Sequence, residues 1–168
     1  LLESIQLRTS RGYENWGELT QAALVSARLG DWPQTLDLAA PSIRHLHWIG
    51  EWPLLGAIVN LVARALAPTD PETAAVLQGV ARKLVIAAVV HSDPNTQTSA
   101  ATSTTQSARA EPPPAGDFVT QLRRTTTGML NAALGHARLE ELRAEGEAMD
   151  RDQAVAYALE AISNANAS

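Results

Sequence analysis

Apolar residues recur at helical spacing through the first half of the chain, and each run ends at a residue that favours helix termination. Residues Leu1 to Arg8 have the pattern of the end of an earlier helix, and Ser10-Arg11-Gly12 breaks it. A second helix is predicted from about Tyr13 to Leu29, ending at Gly30. Its apolar stripe consists of Trp16, Leu19, Ala23 and Ala27, with Leu24 beside it.

The next helix has clear signals at both ends. Asp31 is an N-cap residue, Gln34 stands three positions later as in a capping box, and Pro33 is tolerated in the first turn. Gly50 ends the helix. Pro41 lies inside the pattern and predicts a kink or a split into two helices. The predicted buried positions are Leu36, Ala39, Ala40, Ile43 and Leu46.

Two further helices follow. Trp52-Pro53 opens one that runs to Leu66, with Leu54, Leu55, Ile58, Leu61, Val62 and Ala65 inward. Asp70-Pro71 opens the other, as an N-cap aspartate followed by proline at the first helical position. Its stripe consists of Leu77, Val80, Ala81, Leu84, Val85, Ala88 and Val89. Asp31 and Asp70 are 39 residues apart in similar surroundings, a faint repeat at a length typical of stacked helix pairs.

The helical spacing of apolar residues is then interrupted and resumes later in the chain. Ser92 to Pro114 contains no Leu, Ile, Val or aromatic residue and ends in three prolines, so a flexible insert is predicted. Three more helices follow: Asp117–Leu134 (Phe118, Leu122, Met129, Leu130 and Ala133 inward), Gly135–Glu147, and Asp150 to about Asn164 (Val155, Ala158, Leu159 and Ile162 inward). Asp150 and Gln153 form a second capping box. Ser163–Ser168 has the composition of a polar terminal tail.

These elements predict an all-α fold, a short right-handed stack of antiparallel helix pairs. The apolar fraction of 45% comes mainly from Ala, Leu and Val, with only 4% aromatic residues, which favours helices packed on helices. We assign residues 1–90 to helical-repeat hairpins, 91–116 to the low-complexity insert, and 117–168 to C-terminal helices that complete the same bundle.

The composition of the chain argues against several classes of function. Cysteine is absent, which excludes disulfides, thiol chemistry and cysteine-type zinc sites. The net charge is −5 and the basic residues are scattered, so no direct nucleic-acid binding is expected. No apolar run reaches the roughly 18 residues of a membrane helix, and no signal peptide is present, so we expect a cytoplasmic chain. The chain opens on Leu1 without methionine, which suggests a piece of a longer protein.

The main candidate for a binding site is a group of aromatic and histidine residues. His45 and His47 are two residues apart, so on a helix they point roughly 200° apart and do not suit one metal ion. One interpretation places one histidine in the core and the other in solvent. The alternative is an aromatic pocket lined by Trp32, Trp48 and Trp52 that receives a ligand or peptide. Tryptophans at corners between helices more often pack than bind.

Two charged segments are weaker candidates. The helix carrying Glu140, Glu141, Glu145 and Glu147 also carries Arg138 and Arg143, and mixed signs at this spacing predict a solvated face. Arg123-Arg124 before Thr125–Thr127 could contact a phosphate, but no phosphate-loop pattern accompanies them, and an exposed basic turn is favoured. No serine has a hydrolase context. We therefore expect no catalytic residue, no metal and no cofactor.

Three stretches together resemble a known family: RLGDWPQTLDLAAPSI, ARALAPTDPETAAVLQGVARKL and ALGHARLEELRAEGEAMDRDQAVAYALEAI. They are similar to the C-terminal tetratricopeptide-like helical region of large actinobacterial regulators. These regulators are signal-transducing NTPases, some with an adenylate-cyclase domain and a LuxR-type DNA-binding domain. The family's closing pattern is matched by Leu134-Gly135, Arg138, Leu139, Leu142, Gly146, Asp150 and Ala154-Val155. One lysine among 13 basic residues also suits a GC-rich genome such as an actinobacterium's.

The resemblance implies an α-solenoid fragment without catalytic residues, because the family's ATP- and DNA-binding residues lie in other domains. Its partners would be the other domains of the parent regulator and a protein or small-molecule effector. The first hypothesis is therefore a sensor or interaction region that controls an NTPase switch. The second is a self-standing helical protein that binds a small apolar ligand in a pocket lined by tryptophan.

Overall fold

The computed structural model describes residues 16–91 and 115–167, with side chains described for residues 17–85 and 117–167. The described residues form helices and no strand, which confirms the all-α prediction. The helices are α1 (Trp16–Leu29), α2 (Trp32–Ile49), α3 (Trp52–Leu66), α4 (Pro71–His91), α5 (Ala115–Leu134), α6 (His136–Ala148) and α7 (Arg151–Ala167). The predicted helix at Leu1–Arg8 and the predicted insert over Ser92–Pro114 lie outside the described residues.

Helices α1 and α2 both end at a glycine with left-handed backbone. Gly30 has a φ of 76° and Gly50 a φ of 75°. The N–H of Gly50 donates to the carbonyl of His47 at 3.2 Å, and the next N–H donates to the carbonyl of Leu46 at 3.0 Å. A residue without Cβ adopts this φ without steric cost, so the glycine closes the helix and satisfies its last carbonyls. The two predicted helix ends are confirmed.

The predicted N-caps form, with one difference. The carboxylate of Asp31 accepts from the N–H of Gln34 at 3.2 Å, but the N–H of Asp31 donates back to Ser26 in α1, so only half of the predicted capping box exists there. Asp150 makes the complete box: its carboxylate accepts from the N–H of Gln153 at 2.8 Å, and its own N–H donates to the Gln153 side chain at 3.0 Å.

Some predicted boundaries are wrong. Helix α2 continues through Pro41 without a split. The carbonyl that proline cannot bond belongs to Asp37, an exposed residue, where water can replace the lost partner. Helix α4 extends to His91 and α5 begins at Ala115, so both ends of the predicted insert at 91–116 are helical.

The predicted polar tail is also wrong. Helix α7 continues to Ala167 instead of ending near Asn164. The side chain of Asn166 donates to Asp37 of α2 at 3.1 Å, and Ala165 packs against the core. These tertiary contacts hold the last turn of the helix, although its sequence alone has the composition of a tail.

Successive helices α1 to α4 pack side by side, and the two- and four-residue connections between them make neighbours antiparallel. The later helices do not simply extend this series. Helix α6 packs mainly against α4, and α7 returns to α2. In a solenoid each pair contacts only its neighbours, so the return of α7 closes the bundle, and tetratricopeptide-like stacking is not confirmed.

The core runs along α3 and α4, where most of the described side chains are buried. Its largest fully buried side chains include Ile43, Leu55, Ile58, Leu61, Leu77, Leu84, Leu130 and Leu139. The predicted inward positions are confirmed for most of α2, α3 and the described part of α4. Leu54 is an exception: it is 37% exposed.

Helices α4 and α6 cross at two glycines. A Cβ added to Gly79 would overlap the carbonyl oxygen of Arg143 and lie 2.8 Å from its carbonyl carbon. A Cβ added to Gly146 would overlap the carbonyl oxygen of Val76 and lie 2.9 Å from the nitrogen of Val80. The two backbones therefore approach each other more closely than any side chain would allow, which explains why both positions are glycine.

A polar network surrounds this crossing. The guanidinium of Arg143 donates to the side-chain oxygen of Gln78 at 2.5 and 3.2 Å, and to the hydroxyl of Thr127 at 2.8 Å. Gln78 is only 7% exposed. Lys83 of α4 donates to the carbonyl of Met149, at the C-terminus of α6. These bonds satisfy the buried side-chain oxygen of Gln78 and fix α5 and α6 on α4, whereas the amide nitrogen of Gln78 is buried without a partner among the described residues.

Candidate functional site

The end of α2 and the start of α3 form a corner at which large apolar side chains face solvent. Trp48 is 82% exposed and Ile49 is 45% exposed, immediately before the connection at Gly50; Leu54 follows that connection. The ring of His45 lies 6.1 Å from that of Trp48, tilted by 38°. We call Trp48, Ile49 and Leu54 the apolar corner.

Trp52 belongs to the packing next to this corner. Its ring lies under the guanidinium of Arg151 at 4.4 Å and meets the ring of His47 edge-on at 5.7 Å. The Nε2 of His47 is 2.9 Å from the carboxylate of Asp152. Residues from α2, α3 and α7 therefore meet around Trp52, and the tryptophan contributes to the attachment of α7 to the bundle.

Trp32 lies at the opposite end of α2. Sixteen residues separate it from Trp48, or roughly 24 Å along a helix. Arg64, near the end of α3, lies over its ring at 4.8 Å. The structure therefore does not bring Trp32, Trp48 and Trp52 into one pocket, because the first is at one end of the bundle and the other two are at the other.

The histidines do not divide as expected. His45 and His47 are both half-buried, so neither is a core residue and neither is fully in solvent. His47 contacts the aspartate of α7, while His45 lies beside the exposed tryptophan. Within residues 16–91 and 115–167, no three His, Asp or Glu side chains are grouped so that they could hold a metal ion.

The acidic helix α6 has the solvated face that its pattern predicts. Arg138 contacts Glu141 at 2.8 Å and Glu72 of α4 at 3.1 Å. These bonds to Glu141 and Glu72 raise the pKa of the Arg138 guanidinium. The hydrogen bond from Arg143, at 2.7 Å, lowers the pKa of the Glu140 carboxyl. The exposed Glu140 carboxyl, paired with Arg143, therefore favours its ionised form.

The hydroxyls that follow Arg123-Arg124 are engaged in their own helix. Thr125 donates to the carbonyl of Gln121 at 3.1 Å, and Thr126 donates to the carbonyl of Leu122 at 2.8 Å. The third hydroxyl, of Thr127, belongs to the network at Arg143. The three threonines thus do not form a phosphate cradle with the two arginines.

An apolar pocket of about 360 Å³ opens where α1, α3, α4 and α5 meet. Its volume falls in the range of roughly 300–1,000 Å³ that is usual for ligand sites. Two charged residues, Glu51 and Arg123, belong to its lining. The remaining lining residues are Leu24, Pro53, Leu54, Ala57, Asn60, Val85 and Val119. We call this cavity the apolar pocket; no tryptophan lines it.

A larger and more polar cleft of about 760 Å³ lies between the α3–α4 connection and α7, lined by Thr69, Asp70, Thr73 and Tyr157 among others. Burial raises the pKa of the Tyr157 phenol; a hydrogen bond with Thr73 opposes this rise, and the negative charges of Asp70, Glu145 and Glu160 add to it. The phenol therefore stays neutral in the folded chain, available as a hydrogen-bonding group.

Comparison with protein-family models, with curated proteins and with solved structures finds no significant match to this chain. The family suggested by the resemblance therefore stays a prediction. The model contains no helix, among the described residues, that is long and apolar enough to cross a membrane. The class that the fold and these sites define is an all-helical chain with an exposed apolar corner and a ligand-sized pocket.

Sequence reasoning identified Trp48 and missed the apolar pocket. Leu54 was predicted to be inward, and Val119 carried no prediction. Arg123 was considered only as a partner for phosphate. One signal was available: Pro53-Leu54 places a large apolar residue in the first turn of α3, beside the buried stripe that begins at Leu55.

Proposed function

We propose that this chain is a non-catalytic helical region of a larger ATP-dependent transcriptional regulator, cytoplasmic and actinobacterial in origin. In this role it binds a protein or small-molecule effector and controls the NTPase of the parent. Control of this kind requires the effector to prefer one of two states of the parent. The family resemblance supports the regulatory part, and the apolar corner supports the binding part.

The observation that carries the binding part is the exposure of Trp48. A tryptophan that is 82% exposed keeps a large apolar ring in water, and Ile49 and Leu54, on the two sides of the connection between α2 and α3, are also exposed. Single exposed apolar residues are common, whereas several large ones at one turn are a candidate interaction surface. Tryptophan is also among the residues that most often dominate binding energy at protein interfaces. The corner rests on two helices anchored in the core, so it is presented rigidly.

The first test is the mass of the native polypeptide, measured by immunoblot of a lysate of the source organism. A band far above 17.9 kDa supports a larger parent. The second test compares the ATPase of that parent with and without this region, and with Trp48→Ala. We expect deletion and Trp48→Ala both to change the ATPase. The matched control is Leu29→Ala, because Leu29 is a large apolar residue that is 79% exposed at the C-terminus of α1, away from the apolar corner.

Two results would overturn this proposal. One is a native band near 17.9 kDa, which would leave no parent to regulate. The other is a parent whose ATPase is the same with and without the region. If deletion changes the ATPase while Trp48→Ala and Leu29→Ala are both silent, the apolar corner is not the binding surface, although the region still regulates.

The apolar pocket favours a small-molecule effector as a second candidate. Four helices contribute to it, and its volume of about 360 Å³ suits a small ligand. Most of its lining is leucine, valine, proline and alanine, so a ligand there would be largely apolar, as in the second sequence hypothesis, but without tryptophan contacts. Titration of the intact chain with small apolar compounds, followed by calorimetry, tests this candidate directly.

A further inference from the structure

We propose that the apolar pocket binds a small apolar acid, a molecule with a hydrocarbon body and a carboxylate, and that Arg123 holds the carboxylate. This inference rests on the proposed effector-binding function and specifies its ligand. Three features of the pocket support it: an apolar lining drawn from four helices, a length suited to a medium chain, and a guanidinium in its wall.

The lining determines the body of the ligand. Leu24 of α1, Leu54 of α3, Val85 of α4 and Val119 of α5 surround the cavity together with Pro53 and Ala57. These side chains offer no hydrogen bond, so they favour a hydrocarbon. Asn60 is the one uncharged polar residue in the lining, and its amide nitrogen already donates to the carbonyl of Gly56 at 2.9 Å.

The dimensions determine the size of the ligand. The lining residues on α3 extend from Pro53 to Asn60, which is roughly 10 Å along the helix axis. A volume of about 360 Å³ is near the lower end of the range for ligand pockets. A medium-length alkyl chain or a single substituted aromatic ring fits these limits.

The charges determine the head group. Arg123 is exposed, and none of the ion pairs among the described residues involves it, so its guanidinium can hold a carboxylate through two parallel hydrogen bonds. Glu51, the other charged lining residue, is the N-cap of α3 and makes no capping hydrogen bond; the partial positive charge of the helix end stabilises its carboxylate. Arg123 is therefore the one cation in the lining and the group that an acid would contact.

The test titrates the complete 168-residue chain with three probes of equal chain length: decanoate, decanol and decylamine. Isothermal calorimetry is used, with each probe below its micelle concentration. We expect decanoate to bind about tenfold more tightly than decanol, since one well-placed charged contact is worth roughly that ratio. Decylamine should bind more weakly than both.

Three variants locate the site. Arg123→Gln should remove the tenfold preference for decanoate and leave decanol binding unchanged. Arg124→Gln is the matched control, because Arg124 is its exposed neighbour and does not line the pocket; it should change nothing. Ala57→Leu should fill the cavity and weaken all probes. Circular dichroism of each variant checks that the fold is intact, and Arg123→Gln tests the head group even if Ala57→Leu fails to fold.

Several results would overturn the inference. Equal binding of decanoate and decanol, with no effect of Arg123→Gln, would remove the carboxylate contact. Preference for decylamine would show that Glu51 governs the site. No binding of any probe, or a dimer by light scattering that Leu54→Lys dissociates, would show that the pocket is closed or covered by a second copy. Loss of this inference leaves the regulatory function untouched, because the ATPase of the parent tests that function separately.

Discussion

The crossing of α4 and α6 makes a prediction that opposes the usual effect of glycine in a helix. Replacing a helical glycine by alanine normally stabilises a protein by about 1 kcal/mol, because alanine is the better helix former. At Gly79 and Gly146 the new Cβ would overlap a backbone carbonyl oxygen of the other helix. Backbone atoms cannot move aside as a flexible side chain can, so the two helices must separate.

The magnitude follows from these opposing effects. Overpacking of a well-packed contact costs roughly 1–3 kcal/mol and occasionally more, and a backbone clash lies at the upper end of that range. Subtracting the gain of about 1 kcal/mol in helix propensity leaves a loss of about 2 kcal/mol for Gly79→Ala or Gly146→Ala. For a chain of this size each kcal/mol lowers the Tm by roughly 2–4 °C, so the expected drop is about 4–8 °C.

The matched control is Gly128→Ala in α5. Gly128 is exposed and helical, and no described atom lies within 4 Å of the Cβ that alanine would add. This variant should gain about 1 kcal/mol, which opposes the sign expected at the crossing. Thermal and urea unfolding followed by far-ultraviolet circular dichroism measure all three. If Gly79→Ala and Gly146→Ala are as stable as the wild type or more stable, the close approach of α4 and α6 is incorrect.

Three further predictions concern the polar groups around the bundle. Arg143→Met should cost about 2 kcal/mol in urea unfolding because it removes the guanidinium donors to the buried side-chain oxygen of Gln78. Asp152→Asn should cost less than about 0.5 kcal/mol because Asp152, which contacts His47, is exposed. Lys83→Met should cost about 1 kcal/mol by removing a donor to the end of α6, and Lys83→Arg should restore part of it. In a Tyr13→Phe background, absorbance titration should place the pKa of Tyr157 above 10.0, the ordinary value. The folded chain then binds the phenol proton more tightly than the unfolded chain does. The stability contributed by the phenol is therefore complete below the ordinary tyrosine pKa and is lost as the pH rises through the raised pKa. A Tyr157 pKa at or below 10.0 would contradict the burial.

Most helix ends could be predicted because the signals are local. Asp31, Asp70 and Asp150 accept hydrogen bonds from N–H groups only three residues away, and Gly30 and Gly50 close the turns that follow α1 and α2. Such contacts need no tertiary partner, so residue type and spacing suffice. The one incomplete cap, at Asp31, differs because its N–H bonds the end of α1, which local spacing does not reveal.

The packing of the later helices could not be predicted in the same way. Gly79 interrupts no apolar stripe, and the sequence around it does not indicate that another backbone lies against it. The close approach becomes visible only when Gly146 of α6 is placed on α4. The last turn of α7 likewise depends on Asp37, more than a hundred residues earlier in the chain. In both cases the residue that decides the structure is distant in sequence.

The tryptophans of the candidate site show the same difference between local signals and distant contacts. The sequence shows where each tryptophan is, but it does not show whether another part of the chain covers the ring. Trp52 is half-buried because Arg151 of α7 lies over it, and Trp48, one turn earlier in sequence, has no such cover from the described residues and remains 82% exposed. The packing of a distant helix thus separates a structural tryptophan from a candidate binding residue.

The apolar pocket is even harder to predict from the sequence, because its lining and the core consist of the same types of residue. Leu54 and Leu55 are adjacent leucines in one helix, yet Leu55 is fully buried and Leu54 faces the cavity. The pocket lies between α1, α3, α4 and α5, and the periodicity of apolar residues does not reveal a space between helices. The proposed preference for an apolar acid over an alcohol or an amine comes from Arg123, the one cation in the lining. Binding of an apolar acid would therefore show that this cavity is a ligand site and not a packing defect.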